Sequence, residues 1–180
     1  MCGRYTAVSD VNEMKTYLQA TNLSAGDIYP TNTAPILMDI DHTLKPYPMK
    51  WGISGFKKGS VIINARAETA LDKPFFKNDI ILSRCIVLST GFYEWNNHKE
   101  KYLFKTLNSN MVYMAGFIKQ TKSEKAFIIL TTSANASMEK YHHRMPVILS
   151  ADECSDWVYN LQFSKQVLMR TGPLLQAIKV

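Results

Sequence analysis

The second residue of the chain is a cysteine. Removal of Met1, which commonly occurs ahead of a small second residue, would leave Cys2 carrying both an α-amine (ordinary pKa about 8) and a thiol (about 8.5). Such a 1,2-aminothiol has a specific reaction with aldehydes. The amine condenses to an imine, and the tethered sulfur then closes a five-membered thiazolidine. Ring closure gains the high effective concentration of an intramolecular step. Against this stands the plainer reading of Cys2 as a small residue at a chain end, since most cysteines are inert.

Three other groups have side chains suited to proton or anion work. His142 and His143 precede Arg144-Met-Pro146, and a histidine in a polar turn ahead of a strand can act as a general acid or base. A surface or hydrogen-bonded histidine is the commoner outcome. Glu94 lies in Gly91-Phe-Tyr-Glu-Trp95, where strand alternation sets it opposite Tyr93 and Trp95. A carboxylate among aromatics can serve as an acid, whereas a solvent-facing Glu fits the local sequence equally well. Asn64, Arg66 and Glu68 alternate after Val61-Ile-Ile63, so a continuous strand would aim all three to one face, with Arg66 as a phosphate contact. The alternative is an outer face in water. No C-x-x-C or H-x-x-x-H spacing is present, so neither a zinc site nor any cofactor is expected.

These groups need a scaffold, and the composition allows one. The chain has 180 residues, 46% hydrophobic and 20% charged, which suits one domain over residues 1–180 with a sizeable core. Its aromatic content, 11%, is too high for a chain that stays unfolded. No apolar run approaches the roughly 18 residues of a membrane span, and Met1 leads into Cys2-Gly-Arg4 without the apolar stretch of a secretory leader. Cys2, Cys85 and Cys154 are an odd, scattered set, which argues against disulfides and for a reducing, cytoplasmic setting. The net charge is +6, and residues 61–125 hold ten basic against six acidic residues. A basic region of that kind suits a polyanion such as nucleic acid, or simply keeps the protein soluble.

The expected elements are mostly short strands: 36–40, 47–52, 61–65, 85–88, 92–95, 102–106, 111–118 and 126–131, rich in β-branched and aromatic residues. A helix is predicted over 11–20, with Asp10 as N-cap and Glu13 completing the capping box. Further helices are expected at 136–141, after the Ser150-Ala-Asp-Glu153 capping box, and at 165–170. The fold class that follows is α+β: a curled mixed sheet or small barrel with flanking helices.

Taken together, the segments resemble the SRAP family, the SOS response-associated peptidase or abasic-site processing domain. The resemblance is carried, in order, by Met1-Cys-Gly-Arg-Tyr5, Asn32-Thr-Ala-Pro35, Ile63-Asn-Ala-Arg-Ala-Glu-Thr69, Arg84-Cys-Ile-Val87, Gly91-Phe-Tyr-Glu-Trp95, Ala115-Gly-Phe117, Thr131-Thr-Ser-Ala-Asn135 and His142-His-Arg-Met-Pro-Val-Ile-Leu149. It implies an abasic-site sensor of the DNA damage (SOS) response in the bacterial cytoplasm or nucleoid, acting as a monomer on single-stranded DNA. The activity implied is a covalent thiazolidine crosslink, with lyase-type processing. By the same resemblance Cys2 is the nucleophile, Asn64 orients it, Glu94 is the acid/base and His142 assists proton transfer. Arg4, Pro35, Arg66, Trp95 and Arg144 fall at positions implied to contact DNA. Two stretches depart from the family pattern: Ile53-Ser-Gly-Phe-Lys-Lys58 stands where a Pro-x-Trp segment is usual, and the end at Ile178-Lys-Val180 lacks a Val-Asn tail. The competing readings are a thiol (auto)peptidase using Cys2 and His142, and a non-enzymatic module that binds single-stranded DNA.

Overall fold

The computed structural model describes residues 2–180. In chain order the elements are β1 (Tyr5–Ala7), α1 (Asn12–Thr21), β2 (Gly26–Ile28), β3 (Thr33–Ile40), β4 (Thr43–Lys50), β5 (Ile53–Ser54), β6 (Val61–Ile62), β7 (Asn64–Arg66), α2 (Ala67–Ala70), α3 (Pro74–Leu82), β8 (Arg84–Ser89), β9 (Gly91–Trp95), β10 (Lys101–Thr106), β11 (Val112–Gln120), β12 (Lys125–Ser133), β13 (Arg144–Pro146), β14 (Ile148–Leu149), α4 (Glu153–Tyr159), α5 (Leu161–Met169) and β15 (Leu175–Lys179).

Eight strands form one sheet along the path β13-β12-β11-β8-β3-β4, with β14 on β11 and β7 parallel to β12. Five others run β15-β10-β9-β1-β2. The alternation of side chains shows how they stack. On β8, Ile86 and Leu88 join a cluster with Met14, Ile80, Trp157 and Leu168 from the helices. Cys85 and Val87 instead join Tyr5, Phe92 and Phe104 of the five-stranded sheet. The eight-stranded sheet is therefore the middle layer, with helices on one face and the smaller sheet on the other. Burial on both faces explains why all six residues of β8 are buried and why its sequence reads as a continuous apolar run rather than an alternating one.

Arg84 opens β8 but is itself buried. Its guanidinium donates to the carbonyls of Ile80 and Ile81 at the end of α3, and to those of Trp157 and Val158 in α4. One cation thus satisfies the orphan carbonyls of two helices and sits at the negative ends of their dipoles.

The α+β class stands, and the barrel alternative does not, because each main sheet is an open path with separate ends at β13 and β4, and at β15 and β2. Several local expectations also change. Helix α1 begins after Val11, which serves as the N-cap position, and no side chain caps it, so Asp10 lacks the predicted role. Residues 136–141 form turns instead of a helix. Asn135 caps the first of them, its Oδ1 accepting from the Ser137 amide and hydroxyl, and the amides of Glu139 and His142 reach back four residues to the carbonyls of Asn135 and Met138 without forming a continuous ladder. The box before α4 does form in part, with the Glu153 carboxylate accepting from the Ser150 amide at 2.9 Å.

Candidate functional site

The site is assembled around the first residues of the chain. β1 enters the five-stranded sheet beside β9, with Tyr5 opposite Phe92 and the Tyr93 amide donating to the Arg4 carbonyl at 2.9 Å. Cys2 precedes β1, and the charge of Glu94 on β9 acts on its thiol. Cys2 is fully buried, in the layer between the two sheets. Asn64, at the start of β7, donates from Nδ2 to the Cys2 carbonyl at 2.8 Å. The parallel pairing of β7 with β12 sets this reach, and the Trp51 indole fixes the residue before it by donating to the Ile63 carbonyl at 3.0 Å.

Glu94 is only 4% exposed, which decides against the solvent-facing reading. Alternation along β9 turns it inward, while Trp95 stays 38% exposed on the other face. Burial pushes the Cys2 thiol well above its ordinary pKa, and the Glu94 charge adds to the shift. The sulfur is therefore a protonated thiol at neutral pH.

His142 follows the 136–141 turns. Its Nδ1 accepts the Arg144 amide at 3.0 Å, with the Arg144 carbonyl 3.2 Å from the same nitrogen. Burial pulls the imidazole pKa down and the Glu94 charge works against that fall. Glu94 thus acts electrostatically on both Cys2 and His142, and Asn64 is bonded to Cys2, so the four sequence candidates for the chemistry share one locality. Tyr141, whose ring lies 4.5 Å from that of Tyr102 and 5.2 Å from that of Phe104, pins the turn that carries His142 onto β10.

The residues expected to contact DNA divide differently. Arg4 is half-buried, paired with Asp27 and lying 4.7 Å from the Tyr29 ring centroid and 5.0 Å from that of Tyr93. Arg66 is exposed at the end of β7, and Trp95 is exposed on β9. Pro35 is buried within β3, opposite Pro48, rather than facing an open groove. Arg144 is internal: 7% exposed, clasped at both nitrogens by Glu68 and donating to the Thr131 carbonyl at 2.5 Å. The single-strand stripe Asn64–Arg66–Glu68 is corrected as well. β7 stops at Arg66, Ala67 opens α2, and Glu68 on that helix turns to Arg144.

Asp27 and Tyr141 were missed in the sequence. Asp27 meets Arg4 only because β2 pairs with β1, and β2 is three residues long with little strand signal. Tyr141 had a visible cue, an aromatic next to the candidate histidine. A cleft of about 840 Å³ lies elsewhere, between the 106–111 turn and the 170–174 segment, and none of Cys2, Asn64, Glu94 or His142 lines it.

Comparison with known proteins places this geometry in context. Residues 1–179 match the family described as SOS response associated peptidase (SRAP). The chain is 30% identical over 179 residues to the abasic site processing protein YoqW of Bacillus subtilis, covering 88% of this chain and 80% of that one. It is 27% identical over 177 residues to the abasic site processing protein YedK of Escherichia coli, covering 88% and 79%. A crystal structure of a protein from Bordetella bronchiseptica superposes with a TM-score of 0.78 at 22% identity, covering 99% of each chain, and so shares the fold. With nearly the whole length matched, and in the order in which the site is built, this chain belongs to the SRAP family.

Proposed function

We propose that this protein processes abasic sites in single-stranded DNA by linking Cys2, exposed as the first residue once Met1 is removed, to the sugar aldehyde. The observation that carries the proposal is the convergence of Asn64, Glu94 and His142, from three separate segments, on the second residue of the chain. The names of the relatives, abasic site processing proteins, supply the substrate class.

An abasic deoxyribose is mostly a closed hemiacetal, so an acid must protonate its ring oxygen before an aldehyde is available. Glu94, held in a water-poor layer, would carry that proton from the Cys2 ammonium to the ring oxygen, which also frees the amine to attack. The Cys2 amine then attacks C1 of the open sugar. Water leaves with the carbonyl oxygen, and an imine forms. The thiol sulfur adds to the imine carbon while its proton passes to the nitrogen, closing the thiazolidine with no net oxidation or reduction. A thiol kept protonated by burial suits this order, with amine first and sulfur second. His142 would relay protons at the leaving oxygen. Arg66, Trp95 and Arg4 would hold the strand, while Pro35 and Arg144 support the scaffold from within.

The competing reading is a thiol peptidase that uses Cys2 and His142. The two differ in their need for an α-amine. Met1-free protein incubated with an abasic oligonucleotide is expected to give a band that survives denaturing electrophoresis, and N-acetylation is expected to abolish it. No shifted band from correctly processed protein would refute the crosslinking mechanism.

A further inference from the structure

The five-stranded sheet has two faces, and the chemistry uses only one. Its inner face carries Tyr5, Phe92 and Phe104 into the core. The helices pack on the eight-stranded sheet or on one another, so the outer face has no helix over it. Register defines what lies there. Arg4, Tyr93, Leu103 and Ile178 form one cross-strand row, since the Tyr93 amide bonds Arg4, Tyr93 faces Leu103 and Leu103 faces Ile178. Trp95 and Lys101 are paired two residues further along, and alternation puts Lys105 on the same face.

This face joins aromatic rings to cations. The Lys101 ammonium is 3.9 Å from the Tyr93 ring centroid and the Arg4 guanidinium lies 5.0 Å from the same centroid. Arg4 also lies over Tyr29, which is 45% exposed. Asp27 is the acid in the cluster and accepts from Arg4 and the Tyr93 hydroxyl. Among the described residues neither Lys101 nor Lys105 has an acidic partner within ion-pair distance. The face therefore offers flat π surfaces with net positive charge, the combination that holds unpaired nucleic acid through base stacking and phosphate contacts.

This face is continuous with the candidate site, because β9 turns Glu94 inward and its two neighbours, Tyr93 and Trp95, outward onto this face, with Lys101 paired to Trp95. We propose that the outer face of the five-stranded sheet is a stacking platform for the single-stranded DNA that flanks the reacting sugar, with Tyr93 and Lys101 as its centre. The proposal rests on the DNA reading above, and its test is separable from it.

The probe is an intact single strand of about ten nucleotides, long enough to cover such a surface. Wild-type protein is expected to bind it with quenching of the Trp95 fluorescence, which is readable because Trp51 and Trp157 are fully buried. Lys101→Glu alone, and together with Tyr93→Leu, is expected to weaken binding about tenfold or more, roughly the value of one stacked base or phosphate contact. Adduct formation with an abasic trinucleotide, too short to reach the platform, should keep the wild-type rate. Equal affinity of wild type and both variants for the intact strand would overturn the proposal, as would an equal loss on the trinucleotide. Self-association removed by the same substitutions, without strand binding, would instead make the face a contact between copies. Failure of wild type to form any adduct would sink the crosslinking mechanism, while binding of the intact strand still decides the platform.

Discussion

Asn64 uses only half of its amide. Its Nδ2 holds the Cys2 carbonyl at 2.8 Å, yet its Oδ1 is buried without a partner. A buried amide oxygen left unpaired costs on the order of 1–3 kcal/mol, so an acceptor of this kind persists where something else requires it. On the crosslinking reading, that requirement is to hold the Cys2 backbone in place and offer an acceptor beside it. Asn64→Ala removes the anchor together with the unsatisfied oxygen, so the net stability change should stay within about 1 kcal/mol. The adduct rate is expected to drop about tenfold, equivalent to one lost positioning hydrogen bond. A thermal melt alongside single-turnover gels separates the two effects, and an unchanged rate would remove Asn64 from the mechanism. At this scale the sequence was informative about identity and poor about environment. It marked Cys2, Asn64, Glu94 and His142, but whether Glu94 faced water depended on a second sheet that no local pattern reveals.

Between elements, the clasp of Glu68 on α2 with Arg144 on β13 ties the helical layer to the edge strand that begins two residues after His142. The Arg144 guanidinium holds the Glu68 carboxyl down to about 2, against an ordinary 4.5. A depressed folded-state value means that the folded protein binds fewer protons than the unfolded chain between those limits. The clasp therefore contributes its full stability above about pH 4.5 and loses it as the pH falls toward 2. Glu68→Gln should flatten that acid limb in urea titrations. Because Glu68 is partly exposed the charge loss is screened, but Arg144 is left buried with its strongest partner gone, so about 2 kcal/mol at pH 7 is expected. An acid limb as steep as wild type would assign that stability elsewhere. The clasp was hidden in the sequence for a physical reason: Asn64-Ala-Arg-Ala-Glu68 has perfect strand alternation, and only packing of Ala67 and Ala70 against the core converts its second half to helix. α3 was overlooked similarly, since Phe75, Phe76, Ile80 and Ile81 favour strands, while Pro74 at its first turn was the available helix-start signal. β8, β11 and β12 were legible because continuous burial leaves continuous apolar sequence.

Across the whole molecule, the reacting group and its helpers come from different layers. Cys2 precedes β1 and Glu94 lies on β9 of the smaller sheet, whereas Asn64 lies on β7 of the larger one. Their spacing is the spacing of the two sheets, and Trp51 spans that gap. Its ring is parallel to Phe127 of β12 at 6.3 Å, tilted against Tyr5 of β1 at 5.1 Å, and bonded through its indole N–H to the carbonyl just before Asn64. Trp51→Phe keeps an aromatic between the sheets but removes the indole bond to the Ile63 carbonyl, which retains only the Ile129 amide at 3.0 Å, and leaves space where the indole was. The expected cost is about 2–3 kcal/mol, combining the lost hydrogen bond with partial loss of buried ring. If sheet spacing sets the site, the adduct rate must fall as well, even at a temperature where the variant is fully folded. Denaturant titration establishes the folded range, and single-turnover kinetics inside that range gives the rate. A destabilised Trp51→Phe protein that still crosslinks as fast as wild type would show that Asn64 and Cys2 keep their geometry through β7–β12 pairing alone, with the aromatic bridge contributing only stability.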